Sequence, residues 1–177
     1  MIITHNIEGK MLNFFIKLFK AINSNSHPGE IAHAVCCGMI LGFLPKDNAL
    51  WYVITVFCLF LRIHKGAFVI FTLLFSLFAP LLDPLFDTIG YCFLTLDFFR
   101  PTFSFLLDLP FVGFTKFNNT IVAGSILSSI VLYTPVYWLT RLFIKEWRTF
   151  LLPIVRKTKL VKMLSNLPMI KKIGDLV

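Results

Sequence analysis

The sequence predicts an all-α fold: a polytopic helical membrane protein with a re-entrant helical hairpin and flanking interfacial amphipathic helices. Three observations carry that expectation. Apolar residues make up 57% of the 177-residue chain and charged residues 15%, with 21 Phe, where a soluble domain carries about a quarter charged residues. The apolar runs are cut into pieces too short to cross a bilayer, and the cuts carry proline and charge. The net charge of +8 gathers at one end: residues 141–177 hold nine basic and two acidic groups, while residues 31–140 hold five of each. One membrane domain, residues 31–144, is the natural count. An N-terminal segment (1–30) precedes it and a basic tail (145–177) follows it.

Residues 11–22 read as a helix lying on a membrane surface. Met11, Leu12, Phe15, Leu18, Phe19 and Ile22 fall on one face, and Lys10, Asn13, Lys17 and Lys20 on the other. The same periodicity fits a surface helix packed on a partner protein. Residues 23–29 are turn formers and make a polar linker.

The hairpin follows. Ile31–Leu44 and Ala49–Leu61 are apolar runs of 14 and 13 residues separated by Pro45-Lys46-Asp47-Asn48. At 1.5 Å per residue each helix reaches only ~20 Å, against a hydrocarbon core of about 30 Å. Pro45 marks the turn. Ala34, Gly38 and Gly42, four residues apart, form a small-residue stripe on which a neighbouring helix can pack closely. Lys46 and Asp47 at the tip fit a neutralised pair at depth, a substrate gate, or a solvated turn.

Residues 62–66 form a short basic loop. The long apolar stretch Ala67–Phe99 is interrupted by Ala79-Pro80 and Asp83-Pro84. With Asp83 as N-cap and Pro84 in the first helical position, it reads as two helices, the second running from Pro84 to Phe99. Arg100-Pro101 ends that helix, and Asp97, three residues before Arg100, reads as its ion-pair partner. Phe103–Phe114 is another short piece, broken at Asp108-Leu109-Pro110. Ile121–Thr140 is an uncharged run long enough to span unaided, with Gly124, Ser125, Ser128 and Ser129 on its packing side and Pro135 as a kink. Tyr133, Tyr137, Trp138 and Trp147 mark its interface end. Beyond Pro153, lysines alternate with aliphatic residues in a second surface helix. Lys-rich ends place both termini in the cytoplasm and give an even number of crossings, with four to six spans in all.

Ionisable groups in a membrane segment suggest function. Asp83 and Asp87, one helical turn apart, fit a proton or cation site, or a cap followed by a favourable first-turn charge. Asp108 fits a polar cavity or the headgroup level. His33 with Cys36 or Cys37 has metal-ligand spacing, but a site needs three or four ligands, so no metal or cofactor is expected. Cys36, Cys37, Cys58 and Cys92 all lie in apolar segments and read as small hydrophobes. No cleavable signal peptide is expected. There is no H-E-x-x-H, G-x-S-x-G or P-loop pattern, so no catalytic residue and no enzyme are expected. The basic tail lacks any nucleic-acid recognition motif and reads as a surface for anionic lipid headgroups.

Ser26-His27-Pro28, Ile31-Ala32, Gly42-Phe43-Leu44-Pro45, Leu61-Arg62-Ile63-His64 and the Ala79-Pro80…Pro84 region closing at Gly90 carry a resemblance. Over these residues the chain resembles the uncharacterised bacterial membrane family called domain of unknown function 2062. The resemblance implies a multi-pass protein of the bacterial inner membrane and brings no activity, cofactor or catalytic residue. At a looser level, a hairpin before proline-broken helices looks like the DedA-type lipid-transport architecture.

The interrupted hairpin and intramembrane acids point to a non-enzymatic protein in transport or flipping of a lipid or small amphipathic solute. Lys46, Asp47, Asp83, Asp87 and Asp108 are its candidate polar path. The alternative is a membrane scaffold, in which the faces bearing Ala34, Gly38 and Gly42, and Gly124 and Ser128, dock an envelope-complex partner or a second copy of the chain.

Overall fold

The computed structural model describes residues 27–151, so the amphipathic helix expected at 11–22 and the tail beyond 151 lie outside the described residues. The described residues are all-helical. In order they are α1 (Pro28–Phe43), α2 (Ala49–Phe60), α3 (Lys65–Leu94), a 3-10 turn (Asp97–Phe99), α4 (Arg100–Asp108) and a second 3-10 turn (Val112–Thr115). Then come α5 (Thr120–Glu146) and a π-helical turn (Trp147–Leu151). Among the described residues, those through Arg141 belong to one compact unit and those from Leu142 to a second.

The short helix α1 is the centre of the first unit. Pro28 starts it, where the missing N–H costs nothing, and Glu30 sits favourably in the first turn. Ile31, Ala32, Ala34, Val35, Cys36, Cys37, Met39, Leu41 and Phe43 are all buried, so beyond Glu30 and His33 the helix is covered on nearly every side. After the turn, α2 brings the chain back: the His64 N–H donates to the Glu30 carbonyl at 3.5 Å, which puts the end of the hairpin beside its start. Lys65 Nζ donates to the carbonyls of Cys58, Leu59 and Leu61 and so caps α2. His64 Nδ1 accepts from the Ala67 N–H at 2.9 Å and caps α3.

Helices α1 and α3 run side by side in the same direction. Gly38 lies over Phe68, Phe71 and Thr72, and Gly42 over Thr72, Phe75 and Ser76. A Cβ on Gly38 would stand 3.0 Å from Thr72 N, so the stripe read from sequence faces the chain's own α3. Beyond the tip, α3 meets α5 in an antiparallel glycine-on-glycine crossing. A Cβ on Gly90 would overlap the Thr120 carbonyl, and one on Gly124 would overlap the Phe86 carbonyl. Met39, Phe43 and Phe86 form the core at this junction, with Phe75, Ala79, Leu82, Ile121 and Val136 packed against it. The Phe43 ring lies 5.3 Å from that of Phe75 and 5.2 Å from that of Phe86.

The two-helix reading of Ala67–Phe99 is corrected here. Helix α3 is continuous from Lys65 to Leu94 with Pro80 and Pro84 inside it, so Asp83 is no N-cap. Each proline removes one backbone hydrogen bond, from the carbonyls of Ser76 and Pro80. Breaking the helix would expose several more backbone groups, which apolar surroundings penalise. Ala79 and Leu82 pack on the core and hold this segment in place.

The long helices differ from α1. Helix α3 and the helical stretch Thr120–Thr149 are long and apolar enough to cross a bilayer, yet the most apolar window of α3 is only 11% buried. Phe60, Leu77, Leu81 and Val131 all point outward, at 73% exposure or more. Of the cysteines, Cys36, Cys37 and Cys58 are buried as expected and Cys92 is exposed. In the second unit the Phe143 and Trp147 rings pack at 5.9 Å, and Thr149 Oγ1 donates to the Lys145 carbonyl.

Candidate functional site

The hairpin tip is a built turn. Leu44 closes α1 in an extended conformation, and its N–H donates to Ile40 O. Asn48 Oδ1 accepts from the Trp51 N–H at 2.8 Å, capping α2, while its Nδ2 donates to Pro45 O at 2.6 Å. The Trp51 indole N–H donates to Leu41 O at 3.1 Å and satisfies one of the carbonyls left open at the end of α1. Asn48 is 2% exposed. Its replacement by alanine should therefore lower stability by about 1 kcal/mol, within the ~0.5–2 kcal/mol known for lost caps. Thermal unfolding in detergent checks this, with Asn48→Asp, which keeps the acceptor, losing less.

With Asn48 turned inward, Lys46 and Asp47 face out. Lys116 Nζ reaches Asp47 Oδ2 at 2.5 Å from the far side of the sequence. The pair is open, with side-chain exposures of 47% for Lys116 and 70% for Asp47, so it contributes little to stability.

Lys116 and Phe111 are the two non-glycine residues with left-handed backbones among the described residues, at φ 51° and 70°. Each such residue costs about 1–2 kcal/mol, and neighbours enforce it. Lys116 N–H donates to Gly113 O and Asn119 N–H to Lys116 O, at 3.1 and 2.9 Å. Between this loop and the tip lies an open pocket of about 510 Å³, with Lys46, Asp47, Tyr52, Phe114 and Lys116 on its walls.

A second, apolar groove of about 340 Å³ runs between α3 and α5, lined by Phe43, Leu82, Leu85, Phe86, Leu127 and Val131 among others. Ser128 is its polar side chain, and the Ser128 hydroxyl has no hydrogen-bond partner among the described residues. Phe43 of the groove and Lys46 of the pocket are three residues apart.

The chain is 32% identical over 162 residues to an uncharacterized protein of Treponema pallidum (strain Nichols), a match covering 92% of this chain and 100% of that protein. The chain belongs to the same family as that protein. No family model matches it, and no solved structure does.

Of the candidate polar residues in this family member, Lys46 and Asp47 come together at the pocket. Asp87 accepts a hydrogen bond from Thr120 at the first turn of α5, where a carboxylate is also favoured by the helix dipole. Asp87 is thereby an anchor for the same 116–120 loop that carries Lys116. Asp83 is half-buried on α3 and makes no hydrogen bond or ion pair among the described residues. Asp108 is exposed at the end of α4 and does not line the pocket. The Asp97–Arg100 pair forms at 3.2 Å, as its spacing predicts. His33 Nδ1 is hydrogen-bonded to the Tyr133 hydroxyl at 2.8 Å and its ring packs on Tyr137 at 4.6 Å. Cys36 donates to the Tyr133 carbonyl, so the His33/Cys36 face holds α5.

The helix-packing residues are used inside the chain. Gly38 and Gly42 are covered by α3, and Gly124 by the Gly90 region, while Ala34 is fully buried. Scaffolding through Ala34, Gly38, Gly42 or Gly124 would require the unit to open, whereas Ser128 lines the apolar groove. Lys116 was missed by sequence reading, although it is the one basic residue between Arg100 and Arg141 and an ionisable group among aromatics.

Proposed function

We propose that the protein is a non-enzymatic integral protein of the bacterial inner membrane that takes part in transport or flipping of a lipid or small amphipathic solute. Its basic ends face the cytoplasm. The observation that carries this reading is the position of the tip. Gly42 packs beside Phe75 and Ser76, and Phe43 meets Phe75 and Phe86, all near the middle of the 30-residue α3. If α3 crosses the bilayer, Lys46 and Asp47 lie within the membrane, at the end of a hairpin whose arms are too short to span it. A charged pocket beside an apolar groove suits a molecule with a polar head and an apolar tail. Non-helical backbone at such depth is tolerated only where it is enclosed or lines a cavity, which the Asn48 bonds and the pocket both satisfy.

The low burial of α3 supports lipid as its surroundings, since a core helix of a soluble protein would be mostly covered. Reconstitution into vesicles carrying a fluorescent lipid, with chemical quenching of the outer leaflet, tests the proposal. Faster exchange between leaflets than in protein-free vesicles is expected. Equal rates would end the transport reading.

A further inference from the structure

Lys46 is exposed at the tip and has no ion-pair partner among the described residues. Lys116 shares its charge with Asp47, so Lys46, Lys116 and Asp47 together leave the pocket with one net positive charge. A lone ammonium is costly wherever lipid lowers the dielectric, and a bound anion relieves that cost. The inward face of the pocket is already satisfied, because both ends of the Asn48 amide are bonded to the turn. The unpaired charge left in the pocket is therefore the Lys46 ammonium. Tyr52 and Phe114, 61% and 69% exposed, flank it with apolar surface. Lys116 itself has a left-handed backbone, and strain of this kind gathers at functional sites.

We propose that the tip pocket recognises the phosphate-bearing headgroup of an anionic amphiphile, with Lys46 as the standing cation and Asp47 as an internal competitor that occupies Lys116 until the anion displaces it. This rests on the lipid-handling reading above and names the class of molecule handled. The displaced Asp47 carboxylate stays exposed to the pocket beside both ammonium groups, so the exchange needs no change in the helices.

The full-length protein in detergent, titrated with short-chain phosphatidylglycerol, short-chain phosphatidylcholine or glycerol phosphate, tests it by calorimetry. Phosphatidylglycerol should bind more tightly than phosphatidylcholine. Lys46→Gln should weaken phosphatidylglycerol binding about fivefold, the worth of one lysine near an anionic surface. Asp47→Asn should tighten it, because it frees Lys116, and a gain of affinity cannot arise from misfolding. Equal binding of glycerol phosphate and the lipid would support the phosphate site and assign it to a soluble anion. Indifference to headgroup charge, or unchanged affinity in both variants, would overturn the proposal. Vesicle exchange separates the two readings. Lipid exchange that ignores headgroup charge and Lys46→Gln removes this inference and leaves transport standing. Charge-dependent binding without exchange does the reverse.

Discussion

Gly124→Ala should destabilise the protein by about 1–3 kcal/mol or more, the usual cost of overpacking. Helix propensity alone argues the other way, since alanine is favoured over glycine within a helix by roughly 1 kcal/mol. Sterics decide the sign. The added Cβ would overlap the Phe86 carbonyl, and the nearby Gly90 amide is backbone too, so no side chain can rotate aside. The helices must move apart, which loosens the Phe43–Phe86 contact beneath them. Gly90→Ala should behave alike, because its Cβ would meet the Thr120 carbonyl. The double variant should lose less than the sum, as residues in one contact couple. Gly113→Ala is the control: nothing lies within 4 Å of its added Cβ, and its stability should be unchanged. Unfolding in mixed detergent micelles measures all four.

Phe86→Ala should be the more damaging loss of contact. Phe86 is 1% exposed, and its ring joins α3 to Phe43 at the hairpin end. Phe→Ala in a core costs about 3–5 kcal/mol. In lipid the transfer part of that cost falls away and the packing part remains, so a value near the lower bound, about 3 kcal/mol, is expected. Leu85→Ala, one position along and 55% exposed, should cost far less. The same unfolding measurement compares them. Equal losses at 85 and 86 would show that the Phe43 cluster does not hold the unit together.

Sequence periodicity and punctuation located the local features well. The arms read as 31–44 and 49–61 are helices Pro28–Phe43 and Ala49–Phe60, because Pro28 and Asn48 are strong start signals whose effect is confined to one turn. The Asp97–Arg100 pair is equally local. Asp83-Pro84 misled for the same reason. It is a good start signal in isolation, but the packing of Ala79 and Leu82 on the core carries the helix through it. The long-range pairings left no one-dimensional trace. Gly38 and Gly42 were legible as a close-packing stripe, while the helix that would fill it was not. Gly90 was visible only as a lone glycine, and its partner lies on α5. Lys116 and Asp47 are 69 residues apart, and only the fold brings them together.

The depth of the hairpin tip tests the central claim most directly. Tyr52, Val56 and Phe60 are all exposed along α2, at 61%, 53% and 84%. Each can carry a single nitroxide label in full-length protein whose four native cysteines, Cys36, Cys37, Cys58 and Cys92, have been replaced. Depth in reconstituted bilayers is then read from the ratio of oxygen to nickel-chelate collisions. A re-entrant hairpin should place the label shallow at 60, deeper at 56 and deepest at 52. A maximum at 56, with 52 and 60 both shallower, would mean that this arm passes the bilayer centre and the charged tip approaches the far surface as a solvated turn.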